Sequence, residues 1–236
     1  MIIPRHAHER GYADHGWLIA RHSFSFGDYY DPDEMGWGVL RVINEDRIAP
    51  GAGFGMHGHR DMEIVTYILS GALAHKDSLG NGGVIRRGEV QRMSAGKGIL
   101  HSEFNPQADE STHLLQIWLQ PAERGGPASY EQQAMPLAAM ATGWQLVASP
   151  DGAEGSTTIA QDARLLATTL QPGERRAYVL NKPRLAYVHV VSGLLRLKGQ
   201  NLSTGDGAKI ADEALLEFVA DEAAEILLFD LPAAQP

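Results

Sequence analysis

Glu63-Ile-Val-Thr-Tyr-Ile-Leu69, closed by Ser70-Gly71, reads as a short buried strand ending in a tight turn. β-Branched and aromatic residues dominate it, and Ser-Gly is turn chemistry. The pattern returns in the second half of the chain, where Leu185–Val191 is closed by Ser192-Gly193. Two further landmarks follow each copy in the same order. Gly88-Glu89 is matched by Gly205-Asp206, and Trp118-Leu-Gln-Pro121 by Phe229-Asp-Leu-Pro232. Each copy therefore reads as buried strand, tight turn, strand, Gly-acid turn, strands, and a closing strand stopped by Pro. Val39–Asn44, Leu114–Leu119, Gln145–Ala148, Leu165–Leu170, Leu194–Leu197, Leu215–Val219 and Glu225–Leu231 carry the same strand signals. Short strands at this spacing, with frequent Gly and Pro, predict sandwiches or barrels. The duplication predicts two related β-domains, residues 1–135 and 136–236. Ala211–Glu225 has helix-forming composition. Its place in the repeat predicts two strands and a turn, and that reading is preferred.

Composition narrows the chemistry. The 236 residues hold 20 Lys plus Arg against 29 Asp plus Glu, a formal charge of −9. That balance argues against nucleic acid or an anionic membrane surface as partner, since both need clustered positive charge. Cysteine is absent, which excludes disulfide scaffolds, thiolate metal sites and thiol nucleophiles. Ten histidines, with Asp and Glu, are left as candidates for metal or acid–base work. No apolar run has the length of a membrane span, and the opening Met1–Trp17 lacks the apolar core of a signal peptide. A cytoplasmic protein is expected.

His57-Gly-His59 is the strongest chemical signal. Alternate residues of a strand face one side, so two imidazoles at i and i+2 converge. Continued parity would bring Asp61 and Glu63 to the same side. His101-Ser-Glu103 is a second such pair, which on a neighbouring strand adds an imidazole and a carboxylate. Three His and one carboxylate suit a single divalent ion of the Fe, Ni, Cu, Mn or Zn kind. The repeat acts as a control: the corresponding stretches, near Val179, Asn181, Phe218 and Ala220, carry no such set. Ligands present in one copy and absent from the other mark a dedicated site.

Gly51-(x5)-His57-x-His59-(x3)-Glu63 resembles the first cupin motif, and Gly88-(x5)-Ser94-x-Gly96 with His101-(x3)-Asn105 resembles the second. Ser94 stands where Pro is usual, and the Gly-to-His gap is two residues longer than in most cupins. Those departures, with His22-Ser-Phe-Ser-Phe-Gly-Asp-Tyr-Tyr-Asp-Pro32 and Met93–Asn105, resemble the pirin family over nearly the whole chain. The resemblance is to its bacterial members described as quercetin 2,3-dioxygenases. It implies an all-β bicupin, two double-stranded β-helix (jelly-roll) barrels packed together. It implies one divalent metal ion in the N-terminal barrel, Fe(II) first with Cu, Ni, Mn or Zn as alternatives. The metal ligands it implies are His57, His59, His101 and Glu103, with Glu63 standing behind them to orient a ligand or an arginine.

The activity implied is oxidative cleavage of a flavonol-like aromatic with O2 and release of carbon monoxide, Glu103 acting as the catalytic base. Two other functions stay open: a metal- and redox-sensing protein partner, and a cupin enzyme of another type such as an isomerase. A monomer is expected. His22, His75, His113 and His189 are read as satisfied strand or surface histidines, and Trp37 and Phe54 as core. The pairs Arg86-Arg87 and Arg175-Arg176 are read as solvated turn positions. Gly80-Asn-Gly-Gly83 lacks the helix and Lys of a phosphate loop, and no Gly-x-Ser-x-Gly elbow supports serine hydrolysis.

Overall fold

The computed structural model describes residues 1–181 and 183–233. Its sheets come in two matched sets. In the first half a seven-stranded sheet runs, in spatial order, Ser129–Ala134, Glu89–Ser94, Glu63–Ser70, Thr112–Leu119, Leu40–Ile48, Leu18–His22 and Gly11–Asp14. A four-stranded sheet faces it, in the order Gly53–His59, Ile99–Phe104, Ala72–Asp77 and Gly82–Arg86. The second half repeats both. Its seven-stranded sheet runs Ile2–Arg5, Gly207–Ile210, Leu185–Ser192, Ala224–Leu231, Arg164–Leu170, Gln145–Ser149 and Thr157–Thr158. Its four-stranded sheet runs Arg175–Val179, Leu215–Ala220, Leu194–Leu197 and Gln200–Ser203. The architecture is all-β and two-barrelled, as expected; among the described residues a single short α-helix, Leu137–Thr142, lies between the halves.

The landmarks of the repeat do the same work in both copies. Gly71 and Gly193 sit at φ 78° and 89°, and Gly88 and Gly205 at φ 87° and 82°. A side chain is strained in that left-handed region. At Gly193 there is also no room, since a Cβ would lie 2.1 Å from the carbonyl oxygen of Ala223. The helix-like Ala211–Glu225 segment is indeed strand, turn and strand: Leu215–Ala220, then Ala224–Leu231. The latter is buried along its whole length at the middle of its sheet. Tertiary burial overrides helix propensity there.

Position in the chain does not decide position in the fold. Ile2–Arg5 pairs with Gly207–Ile210, so the first strand of the chain edges the sheet of the second half. It occupies the place that Ser129–Ala134 holds beside Glu89–Ser94 in the first. The largest core cluster spans both halves, with Phe24, Leu40, Tyr67 and Leu119 packed among Leu165, Tyr187, Leu227 and Phe229. The second barrel has its own filled core around Val188, Leu195, Phe218 and Leu228. Arg87 is not a solvated turn residue: its Nη1 donates to Glu225 Oε1 at 3.0 Å across the seam, and Tyr67 donates to the same carboxylate at 2.6 Å. Arg175 and Arg176 begin a strand, and Arg176 reaches the carbonyls of Ala141 and Thr142.

Candidate metal centre

His57 and His101 are direct cross-strand neighbours in the antiparallel pair Gly53–His59 and Ile99–Phe104. Strand alternation adds His59 to the same side. The three rings meet at centroid separations of 4.4 Å (His57–His101), 4.8 Å (His57–His59) and 4.8 Å (His59–His101). One nitrogen from each lies within 4.8 Å of the others. A register shift between His101 and Glu103 makes Glu103 face Phe54 rather than its expected partner. Glu103 is 3% exposed and lies in a second, overlapping group with His75 and His101.

Hydrogen bonds set several of these side chains. His57 Nδ1 lies 2.8 Å from the Gly55 carbonyl oxygen, which only accepts, so this nitrogen carries a hydrogen and Nε2 is the ring nitrogen available to a ligand. His101 Nε2 is buried with no hydrogen-bond partner among the described residues. Gln116 Nε2 donates to both oxygens of Glu103, at 3.2 and 3.0 Å. Thr66 donates to Gln116 Oε1 at 3.0 Å and so fixes which end of the amide faces the carboxylate.

Burial sets the charge states. It lowers the pKa of His101 to about 3, helped by His57 and His59, and that of His59 to about 4, helped by His57. It raises Glu103 to about 7, against the pull of the Gln116 hydrogen bond. Asp46 also rises to about 7, through burial first and then the nearby Glu103 and Glu45. Neutral imidazoles around an orphaned buried nitrogen, beside an uncompensated carboxyl, are what a hard-to-borderline divalent cation would satisfy.

His57, His59 and Glu103 open onto a cavity of about 560 Å3. Leu18, Ala20, Phe26, Tyr29, Phe54 and Trp118 supply apolar wall, and Asn44, Asp46 and Gln116 polar points. Phe54, read as core from the sequence, lines this cavity while also packing behind it. Trp37 is not in the wall; it packs against the inter-barrel core and donates to the Ala186 carbonyl at 2.9 Å. His22 also lines the cavity, with its Nδ1 2.8 Å from Asn44 Oδ1.

Strand parity fails for Glu63. The strand ends at His59, and Asp61 turns the chain at φ 51°. Glu63 then starts a strand of the opposite sheet, where it accepts from Ser94 Oγ at 2.7 Å and the Ala160 amide at 3.2 Å. It lines a separate, smaller cavity with Arg92 and Ser94. Asn44, Asp46 and Gln116 are not singled out by the sequence. Their one signal is a polar residue inside an apolar strand run, which at Asn44 reads only as a strand end. Among the described residues no helix is long and apolar enough to cross a membrane.

Two facing barrels, with a three-imidazole cluster found, among the described residues, in the first alone, define a bicupin. The pirin family model matches residues 5–119, and the quercetinase C-terminal cupin domain matches residues 146–231. The chain belongs to the pirin family. It is 47% identical to the quercetin 2,3-dioxygenase of Escherichia coli K12, over 98% of this chain and 99% of that one. It is 46% identical to a pirin-like protein of Caulobacter vibrioides, with the same coverage. Among solved structures, the bacterial pirin YhhW of Escherichia coli in complex with nickel(II) matches with TM-score 0.95 and 47% identity, covering 99% of this chain and all of that one.

Proposed function

We propose that His57, His59, His101 and Glu103 hold one divalent metal ion, Fe(II) first, and that the protein is a dioxygenase opening a flavonol-like ring with O2 and releasing carbon monoxide. The observation that carries this is the clustering of the His57, His59 and His101 imidazoles, with the Glu103 carboxyl against His101, at an aromatic-walled cavity that His57, His59 and Glu103 line. The names of the relatives and the nickel complex of a neighbour support it. The division into a metal-binding half, 1–135, and a half without ligands, 136–236, belongs to the same proposal, with Ile2–Arg5 lent to the second barrel's sheet.

When bound, the ion supplies Lewis acidity toward an enolic oxygen and a place for dioxygen to react. The protein's own residues do the rest. Glu103, a buried carboxylate on the cavity wall, takes the proton of the substrate's enolic hydroxyl. Gln116 holds the carboxylate toward the cavity through this transfer. Trp118, with Phe26 edge-on against it at 5.3 Å, and Phe54 offer faces to a planar ring. Asp46 and Trp118 also line the cavity, and Asp46 Oδ1 and Trp118 Nε1 have no hydrogen-bond partner among the described residues. The apolar remainder keeps water from the electron-rich enolate.

The test is to load the protein with Fe(II), Ni, Cu or Mn in turn, and to follow flavonol loss, oxygen uptake and carbon monoxide. Turnover with stoichiometric carbon monoxide is expected. Metal binding with no flavonol turnover under any of these ions would overturn the dioxygenase reading; turnover without oxygen uptake would point to an isomerase-type reaction.

Metal capture should depend on pH with a definite sign. Glu103 must lose its proton to ligate, and its pKa is raised to about 7, whereas His59 and His101 are already neutral above about 4. Zinc affinity is therefore expected to rise roughly tenfold per pH unit up to about pH 7 and then level off. Gln116→Leu removes the bond that lowers the Glu103 pKa, so the plateau moves to higher pH. Calorimetric titrations between about pH 5 and 8.5 check both.

A further inference from the structure

A buried chain of polar side chains stands directly behind His101. The strand Ala72–Asp77 lies beside Ile99–Phe104, in register such that Asp77 is opposite His101 and His75 opposite Glu103. The side chains of His75 and Asp77 are both fully buried. Asp77 is tied down on several sides. Its Oδ1 accepts from the backbone amides of Leu79 and Asn81, at 2.9 and 3.0 Å, and its Oδ2 from the Asn81 amide group at 3.0 Å. The Gly80-Asn-Gly-Gly83 turn that resembled nothing functional is the clamp on this carboxylate.

Protonation follows from who can donate. A carboxylate only accepts, so His75 Nε2, 3.2 Å from Asp77 Oδ2, carries the hydrogen. The Nδ1 of a neutral His75 then has the lone pair, in agreement with the Gln91 amide nitrogen pointing at it from 3.1 Å. The remaining neighbour of that Nδ1 is His101 Nδ1, at 3.5 Å. Gln91 already donates to that single lone pair, and a hydrogen on His101 Nδ1 shares it at longer range and keeps two nitrogen lone pairs from facing each other, so this tautomer of His101 is the favoured one. His101 Nε2 is left with its lone pair, and this is the buried nitrogen that no described residue satisfies. Tyr130 stacks on His75 at 4.7 Å and 24°, fixing the plane of the ring.

We propose that Asp77 and His75 form a carboxylate–imidazole relay that sets the tautomer and angle of His101, making both positioning residues for the metal centre. The proposal rests on His101 being a ligand. It assigns His75, which also lies within 4.8 Å of His101 and Glu103 as a possible donor, to the relay instead. Residues of this kind typically change metal affinity 10–100-fold.

The test is imidazole 15N NMR of the full-length protein, metal-free and loaded with Zn(II), with zinc affinities for His75→Phe, His75→Gln and Asp77→Asn. Phenylalanine keeps a ring against Tyr130 but removes the acceptor; glutamine restores one. The metal-free wild-type spectrum is expected to show His75 as its Nε2–H form. The zinc form is expected to show His101 bound through Nε2, with a slowly exchanging Nδ1–H. His75→Phe and Asp77→Asn are expected to weaken zinc roughly 10–100-fold and to speed that exchange, and His75→Gln to recover most of the loss. A zinc-bound His75, zinc on His101 Nδ1, an Nδ1–H form of His75, or unchanged affinity in His75→Phe would overturn the relay. Failure of the wild type to bind zinc would instead sink the metal-site reading, and the relay with it.

Discussion

His101→Ala is expected to cost more than about 100-fold in metal affinity, beyond the ceiling for residues that only support a ligand. It should do so while the metal-free protein keeps its fold. His101 is 1% exposed and sits at the junction of both donor groups, so its loss removes one imidazole and slackens the remaining donors. Its ring is also a liability without metal, since its Nε2 is buried with no partner among the described residues, and such a nitrogen is costly. Truncation relieves that cost while opening a small cavity, and the two partly cancel. The measurement is thermal unfolding with and without zinc. Wild-type protein gains about 2.7 kcal/mol at a zinc concentration 100 times Kd. His101→Ala should show almost no such gain, with a metal-free midpoint within a few degrees of wild type. A variant that still gains the full increment would remove His101 from the ligand set, and His57→Ala is expected to behave in the same way.

Phe229→Ala is expected to give a large loss of stability, about 3–5 kcal/mol for a fully buried aromatic. Phe229 is inaccessible to solvent and belongs to the cluster shared by both barrels. It packs against Tyr187, 6.1 Å between ring centroids, which in turn meets Phe24 from the first half at 5.4 Å. For a chain of this size the midpoint should fall by roughly 6–20 °C. The shared core couples the barrels, so calorimetry is expected to show one transition in wild type and variant alike. Two resolved transitions in the wild type would show that the barrels unfold independently.

Much of this molecule was legible in spacing alone. The two Ser-Gly turns, the two Gly-acid turns and the two closing strands were enough to pair the halves, because a turn needing positive φ leaves a glycine in the sequence. His57, His59 and His101 could be singled out because alternation on a strand is a local property. Where alternation was carried past the end of a strand it misled: the turn at Asp61 sends Glu63 to another sheet. Arg87 looked like a surface charge because its partner, Glu225, comes from the other end of the chain. Asp46 and Gln116 looked like incidental polar residues in strands until the barrel closed around them.

Composition and local period determined the strand content, the duplication, the absence of thiol chemistry and the restriction of candidate ligands to one copy, because each follows from residue type and near-neighbour spacing. The tertiary structure decided which carboxylate lies against His101, that His75 and Asp77 are buried beside it, that the first strand of the chain edges the second barrel, and where the aromatic walls stand. Those outcomes depend on sheet pairing between segments distant in sequence and on burial, which moves pKa values and removes alternative hydrogen-bond partners only once the barrel has excluded water.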